Sequence, residues 1–224
     1  KLASLYSFQR NSVTSEQNLI LNCVVDSVDR WWFGWHIGSG PTCQWSGGYY
    51  PGLMPDHGIS RAWLKLDEAI ARFGIQFHSG ERVCELGAAP GGACQRLLEA
   101  NLTVVGVDPA TMNPLLVKHE HFTHWKKRAR DIRIREFADF DWILTDMNID
   151  PANTIASLER ILSSRPQKPR GIIATLKLSE IAHADKLDQW CASCASWGYQ
   201  ARVQQLSTGG QEICLVAQKN SSRN

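Results

Sequence analysis

From about residue 81 onward, short apolar runs alternate with longer stretches in which apolar residues recur every three or four positions. The runs Val83–Leu86, Thr103–Val107, Asp141–Thr145 and Gly171–Leu176 predict buried strands. Ala93–Ala100, Ile155–Ser163 and Ser179–Trp197 carry helical spacing. Such alternation predicts an α/β fold, a mostly parallel sheet with helices on both faces. The pattern changes at the end, where Ala201–Leu206 and Glu212–Gln218 flank Ser207-Thr208-Gly209-Gly210-Gln211. That is an antiparallel hairpin closing the sheet edge. Ahead of the alternation, Ser60–Phe73 reads as a helix with Ser60 as N-cap and Leu66, Ala69, Ile70 and Phe73 inward. Lys65 stands at the margin of that stripe, where a lysine ordinarily reaches to solvent.

Residues 1–57 do not carry the pattern of a complete domain. Leu19–Val25 and Arg30–Ile37 read as strands of a hairpin around Asp26-Ser27-Val28-Asp29, and Trp31, Trp32, Phe33 and Trp35 make it unusually aromatic. Such rings stack on nucleic-acid bases in some proteins. The plainer expectation is that they pack against the domain that follows. Gly38–Gly58, rich in Gly and Pro, reads as a linker or ordered loop.

Composition narrows the picture a little. The 224 residues suit one α/β domain and a smaller piece, and 43% hydrophobic with 21% charged residues describes an ordinary globular chain. A net charge of +2 leaves any anionic partner to a local patch. No apolar run approaches ~18 residues, so no helical membrane span is expected. The chain opens Lys1-Leu2, without an initiator Met or a signal-like apolar stretch, and is read as a processed or trimmed product. Seven cysteines are an odd number for a disulfide framework. Cys23, Cys84 and Cys214 sit in apolar strands, and Cys191 and Cys194 form a C-x-x-C within a helix and without a second pair. Plain thiols in a reducing, cytoplasmic setting are the reading. Oligomeric state is not legible.

Candidate chemistry centres on Arg82-Val83-Cys84-Glu85-Leu86-Gly87-Ala88-Ala89-Pro90-Gly91-Gly92. A strand ends in a loop of small residues, which lets backbone approach a ligand, and a helix then turns its N-terminal amides towards it. The spacing matches neither the phosphate-binding G-x-x-x-x-G-K-[ST] nor a clean G-x-G-x-x-G. Ligands of such sheets sit beyond the carboxyl ends of the strands. There the chain places Glu85, Asp108, Asp146 and Lys177 in turn, and Asp108 suits a ribose diol. The basic run from His124 to Arg135, with Asp131-Ile132-Arg133-Ile134-Arg135 read as a strand, is a weak nucleic-acid signal. His119, His121 and His124 read as exposed histidines, and no metal site is expected.

These residues carry a resemblance. Ser60-Arg61-Ala62-Trp63-Leu64-Lys65-Leu66, the Gly87–Gly92 loop, Asp146-Met147 and Lys177 are similar to the motifs of FtsJ-type S-adenosylmethionine (SAM)-dependent RNA ribose 2′-O-methyltransferases. The resemblance implies a Rossmann-like methyltransferase fold over residues 58–224, SAM as cofactor and RNA as partner. It implies a SAM site formed by Ser60, Glu85, Gly87, Ala88, Ala89, Pro90, Gly91, Gly92, Asp108, Asp131 and Asp146. It also implies a catalytic set of Lys65, Asp146, Lys177 and Glu212. Within the family the chain is most similar to enzymes acting on a cytidine of bacterial large-subunit ribosomal RNA. Residues 1–57 would then match the trailing end of a longer RNA-binding region. Two features depart from the pattern: Ala93 replaces a common aromatic, and the N-terminal region is short. Lys177 is expected to act as the base, its pKa depressed by burial and by Lys65, with Asp146 and Glu212 orienting the lysines. Arg61 is the expected phosphate contact. Alternatives are a 2′-O-methyltransferase for transfer RNA or an mRNA cap, and a non-catalytic SAM- or RNA-binding module.

Overall fold

The computed structural model describes residues 12–163, 168–178 and 181–219. The first residues of the chain and Ser179, the expected start of the last long helix, lie outside them. Two compact units are present, Lys1–Leu53 and Met54–Asn224.

In the first unit, strands β1 (Leu19–Ser27) and β2 (Arg30–Ile37) form an antiparallel ribbon. The pairs Leu19–Ile37, Leu21–Trp35, Cys23–Phe33 and Val25–Trp31 put eight apolar side chains on one face. That face is exposed: Leu21 retains 62%, Phe33 58% and Trp35 70% of full accessibility. Trp45, which follows, is buried and meets Tyr50 edge to face.

The second unit holds a seven-stranded sheet in the order β5-β4-β3-β6-β7-β9-β8. Its strands are β3 (Arg82–Leu86), β4 (Thr103–Val107), β5 (Phe122–Trp125), β6 (Trp142–Thr145), β7 (Gly171–Lys177), β8 (Tyr199–Gln204) and β9 (Glu212–Lys219). β3 to β7 are parallel, and β9 pairs antiparallel with both β7 and β8. Among the described residues, four helices of eight residues or more flank it: α1 (Ala62–Phe73), α2 (Gly92–Glu99), α3 (Pro151–Ser163) and α4 (Leu187–Ser196). Successive strand residues point to opposite faces, so two cores form. Leu66, Phe73, Leu97, Val83, Val104 and Val216 fill one core, beneath α1 and α2. Leu158, Ile161, Trp190, Leu86, Ile172 and Leu215 fill the other, beneath α3 and α4. This is the α/β sheet with a C-terminal antiparallel hairpin that the alternation implied, and it has the Rossmann-like form that the resemblance implied. The chain runs outward from β3 through β4 and β5, then returns through β6 and β7. The carboxyl end of β3 is therefore the switch point, where open α/β sheets place ligands.

One strand escaped the sequence reading, and two local expectations need correction. Phe122–Trp125 is a strand, hidden in sequence because a short edge strand with threonine and histidine carries no apolar run. Residues 131–135 are not a strand. They run from one 3-10 turn (Ala129–Asp131) through the extended Ile132 and Arg133 into another (Ile134–Phe137), with Ile132 and Phe137 buried on the α3 side of the sheet and Arg133 and Arg135 outward. Ser60 does not cap α1: Arg61 is the N-cap residue, and the Ser60 hydroxyl is buried without a hydrogen-bond partner.

Candidate active site

The glycine loop leaves β3 at the switch point. Gly87 has φ 81°, and a Cβ there would stand 2.7 Å from the Asp146 carbonyl oxygen, so glycine is required by both backbone and space. Gly92 lets the start of α1 press on the loop, since a Cβ would fall 2.2 Å from Ser60 Oγ. Several loop amides expected to face a ligand are engaged internally. Gly87 N and Ala88 N donate to Val107 O (2.9 and 3.3 Å), and Ala89 N donates to Asp108 Oδ2 (3.1 Å). Asp108 also accepts from Ala110 N at 2.8 Å, so it ties loop to strand end. A carboxylate offers about four acceptor sites, which leaves room for a diol.

Glu85 points into the interior. It is 2% exposed, and the Cys94 thiol donates to its Oε2 at 2.8 Å. Burial pushes its pKa up to about 8, against hydrogen bonds from the Cys94 thiol and amide. Glu85, Lys65, Thr145 and Asp146 share the lining of a cavity of about 30 Å3, large enough for a water. Thr145 Oγ1, like Ser60 Oγ, is buried without a partner.

Beside this cavity four charges close a ring. Lys65 Nζ donates to Asp146 Oδ2 (2.5 Å) and lies 3.0 Å from Glu212 Oε1. Lys177 Nζ donates to Asp146 Oδ1 (3.0 Å) and Glu212 Oε2 (2.5 Å). The fold explains the convergence. Lys177 and Glu212 are direct partners in the β7–β9 ladder, Asp146 follows β6, and Lys65 comes from the first turn of α1. None of the four side chains is more than 28% exposed. One expectation reverses here. Burial tends to lower the Lys177 pKa, but Glu212 and Asp146 outweigh it and hold the value above the ordinary lysine range. Lys65 is a neighbour only through shared carboxylates, so the repulsion foreseen from sequence is neutralised. Burial raises the Glu212 pKa and the two lysines pull it back below the usual range.

Ser60, Glu85, the Gly87–Gly92 loop, Asp108 and the four charged residues thus gather around the ends of β3, β4, β6 and β7. Asp131 does not join by any contact: it sits in an exposed turn 3.8 Å from Arg130. Arg61 is exposed at the start of α1. His124 is half-buried, its Nε2 2.9 Å from the Asp108 carbonyl. Sequence reasoning missed Cys94 and Gln95. Gln95 accepts from Ile59 N (2.9 Å), and Arg96 meets Asp67 (2.7 Å), clasping α2 to the segment that presents Lys65. No sequence spacing marks such pairs, because each joins residues nearly 30 or more apart. Cys194 is buried in α4, and burial pushes its thiol up to about 12, as for a packed side chain.

A glycine loop at the switch point, an acid ending β4 and a lysine–carboxylate ring thus meet at one edge of a Rossmann-like sheet. The chain belongs to the FtsJ-like methyltransferase family, whose match spans residues 59–221. It is 30% identical over 190 residues to ribosomal RNA large subunit methyltransferase M of Halorhodospira halophila, covering 84% of this chain and 55% of that protein. The protein of the same name from Edwardsiella ictaluri is 33% identical over 124 residues, 51% of this chain and 33% of that one. The chain therefore spans about half or less of the length of these relatives. Among solved structures, the fold resembles a Burkholderia thailandensis N1-methyltransferase with bound S-adenosylhomocysteine (TM-score 0.53, 18% identity, 72% of this chain and 80% of that one). It also resembles the Methanococcus jannaschii fibrillarin pre-rRNA processing protein (TM-score 0.54, 14% identity, 73% and 77%).

Proposed function

We propose that the protein transfers a methyl group from SAM to a ribose 2′-hydroxyl of RNA, with large-subunit ribosomal RNA as the target. The observation that carries this reading is the closed Lys65–Asp146–Lys177–Glu212 ring at the carboxyl ends of the strands. Similarity to ribosomal RNA methyltransferases supports the choice of substrate.

The residues fit the cofactor. Two buried hydroxyls without partners, Ser60 Oγ and Thr145 Oγ1, lie beside a loop whose glycines keep backbone close. Ser60, the Gly87–Gly92 loop, Asp108 and Asp146 would hold SAM. When bound, SAM supplies a methyl group on a sulfonium, whose positive charge disfavours a second cation beside it. The ribose hydroxyl is a poor nucleophile, so the chain's task is to hold it in line and accept its proton. Lys177 Nζ takes that proton as the hydroxyl oxygen gains the methyl group. To do so Lys177 must first be neutral, and its carboxylate partners oppose that. Activity should therefore rise with pH through the elevated Lys177 pKa.

The test is methyl transfer to unmodified RNA transcripts by Lys177→Ala and Lys177→Arg proteins, beside calorimetric SAM binding. Both variants should lose roughly 10²–10⁴-fold in turnover, as for removal of a general base, with SAM affinity near wild type. Near-normal turnover in Lys177→Arg would show that the residue only holds substrate. Ribose-methylation mass spectrometry on ribosomal, transfer and capped messenger RNA distinguishes the target.

A further inference from the structure

We propose that Glu68 is a positioning residue for the charged ring, fastening the loop that delivers Glu212 to the helix that delivers Lys65. The proposal rests on the reading of that ring as the methyl-transfer site. Glu68 lies in α1, one turn after Lys65, and has no solvent exposure. Its carboxylate is covered by donors from the β8–β9 loop. Oε1 accepts from Ser207 N (2.9 Å) and Ser207 Oγ (3.0 Å), and Oε2 accepts from Thr208 N (2.8 Å) and Thr208 Oγ1 (2.7 Å). Arg72, one turn further along α1, donates to Oε1 from Nε (3.0 Å) and Nη2 (2.7 Å).

A buried carboxylate is costly unless its acceptors are filled, and an apolar side chain would pack this site at less expense. What the carboxylate adds is direction. It grips backbone and side chain of two consecutive residues, which fixes the path of the loop. The next residue, Gly209, passes so close to Glu212 that a Cβ would stand 3.2 Å from Oε1. The far end of the loop is held by Leu178 N donating to Gln211 O at 2.9 Å, just past Lys177. Glu212, Lys177 and Lys65 are thereby set by one clamp between α1 and the β7–β9 ladder. Burial alone would raise the Glu68 pKa, but the Ser207, Thr208 and Arg72 donors bring it below the usual carboxylate range, so the clamp stays ionised at neutral pH.

Glu68→Gln keeps the shape but turns an NH2 group towards one pair of donors. Thr208→Val keeps Glu68 and removes one hydroxyl, a milder change if the first variant folds poorly. Variants of the 224-residue chain are compared with wild type and Lys177→Ala for methyl transfer to unmodified RNA transcripts, SAM affinity, and hydrogen exchange at Ser207 and Thr208. In Glu68→Gln, kcat should fall ~10–100-fold, the loss expected for a catalytic group misplaced by about 1 Å, while KM for SAM stays within about twofold. Thr208→Val should show a smaller fall. A loosened Glu212 also supports the Lys177 ammonium less, so the rising limb of the pH–rate profile should move to lower pH in both variants. A merely structural residue would not move that limb. Faster exchange at Ser207 and Thr208 should accompany the shift in the two clamp variants and be absent in Lys177→Ala. Folded Glu68→Gln and Thr208→Val proteins with wild-type kcat and pH profile would overturn the clamp while leaving the reaction in place. An inactive wild type would overturn both.

Discussion

Among the described residues two antiparallel hairpins of similar strand length meet opposite fates. In β1–β2, Leu19, Leu21, Val25, Trp31, Phe33, Trp35 and Ile37 share a face and are all exposed. In β8–β9, Cys214, Leu215, Val216 and Ala217 are buried, because β9 is flanked by strands on both edges and lies between two helix layers. The difference extends to charge. Asp26 and Arg30 pair at 2.9 Å across the open turn of the first hairpin, both more than half exposed, where such a pair contributes about 0–1 kcal/mol. Glu212 of the second is held between two lysines at 12% exposure. Local pattern and turn chemistry suffice to make either hairpin. Only the neighbours decide whether its residues become core, site or surface.

Leu-to-Ala substitution sharpens the contrast most. Leu215 is wholly buried, and Leu215→Ala should cost about 2–5 kcal/mol in urea denaturation, the range for deleting a packed leucine. A loss below about 1 kcal/mol would mean that β9 is not a core strand.

A carboxylate probes the same interior through pH. Glu85 holds its proton up to about pH 8 in the fold but ionises near 4.5 in the unfolded chain. Below 4.5 both states are protonated and no penalty arises. As pH rises from 4.5 towards 8, the unfolded state loses the proton first, so this group makes the fold progressively less stable. One such proton is worth about 1.4 kcal/mol per pH unit. Between pH 5 and 7, wild type should therefore lose roughly 2–3 kcal/mol relative to Glu85→Gln, which cannot ionise. Denaturation curves that fall in parallel for both proteins would show that Glu85 is already charged in the fold.

The same contrast explains what the sequence made legible. Strand, glycine loop and helix around Glu85–Gly92 are local, and so is the acid or lysine ending each parallel strand. All of these were readable. Lys65, Asp146, Lys177 and Glu212 were nameable by resemblance, but their mutual arrangement was not, since it depends on the β7–β9 register and the seating of α1. The Lys177 pKa was misjudged for that reason: both carboxylates were expected to orient the lysines, but that they bond Lys177 Nζ closely enough to outweigh its burial shows only in the assembled ring. Glu68 gave no signal at all. It sits on a helix of mixed charges, and apart from Arg72 its donors come from residues 139 and 140 positions away. The tryptophans of the first hairpin mark another limit, because an aromatic-rich strand pattern predicts burial and says nothing of what does the burying.

The smallest effect is expected in the first hairpin. Leu21 lies opposite Trp35 in the ladder and keeps 62% of its surface in solvent. Truncating it forfeits one cross-strand contact and little burial, so Leu21→Ala should change stability by about 0.5 kcal/mol or less. Hydrogen exchange at the β1 and β2 amides reads this directly, independently of unfolding in the second unit. Trp35→Ala, on the same face, should behave alike and serves as the control for ring size. A loss of about 2 kcal/mol or more in either variant is the cost of deleting a buried side chain. It would mean that the apolar face is covered in solution and that the two hairpins differ less than their exposures indicate.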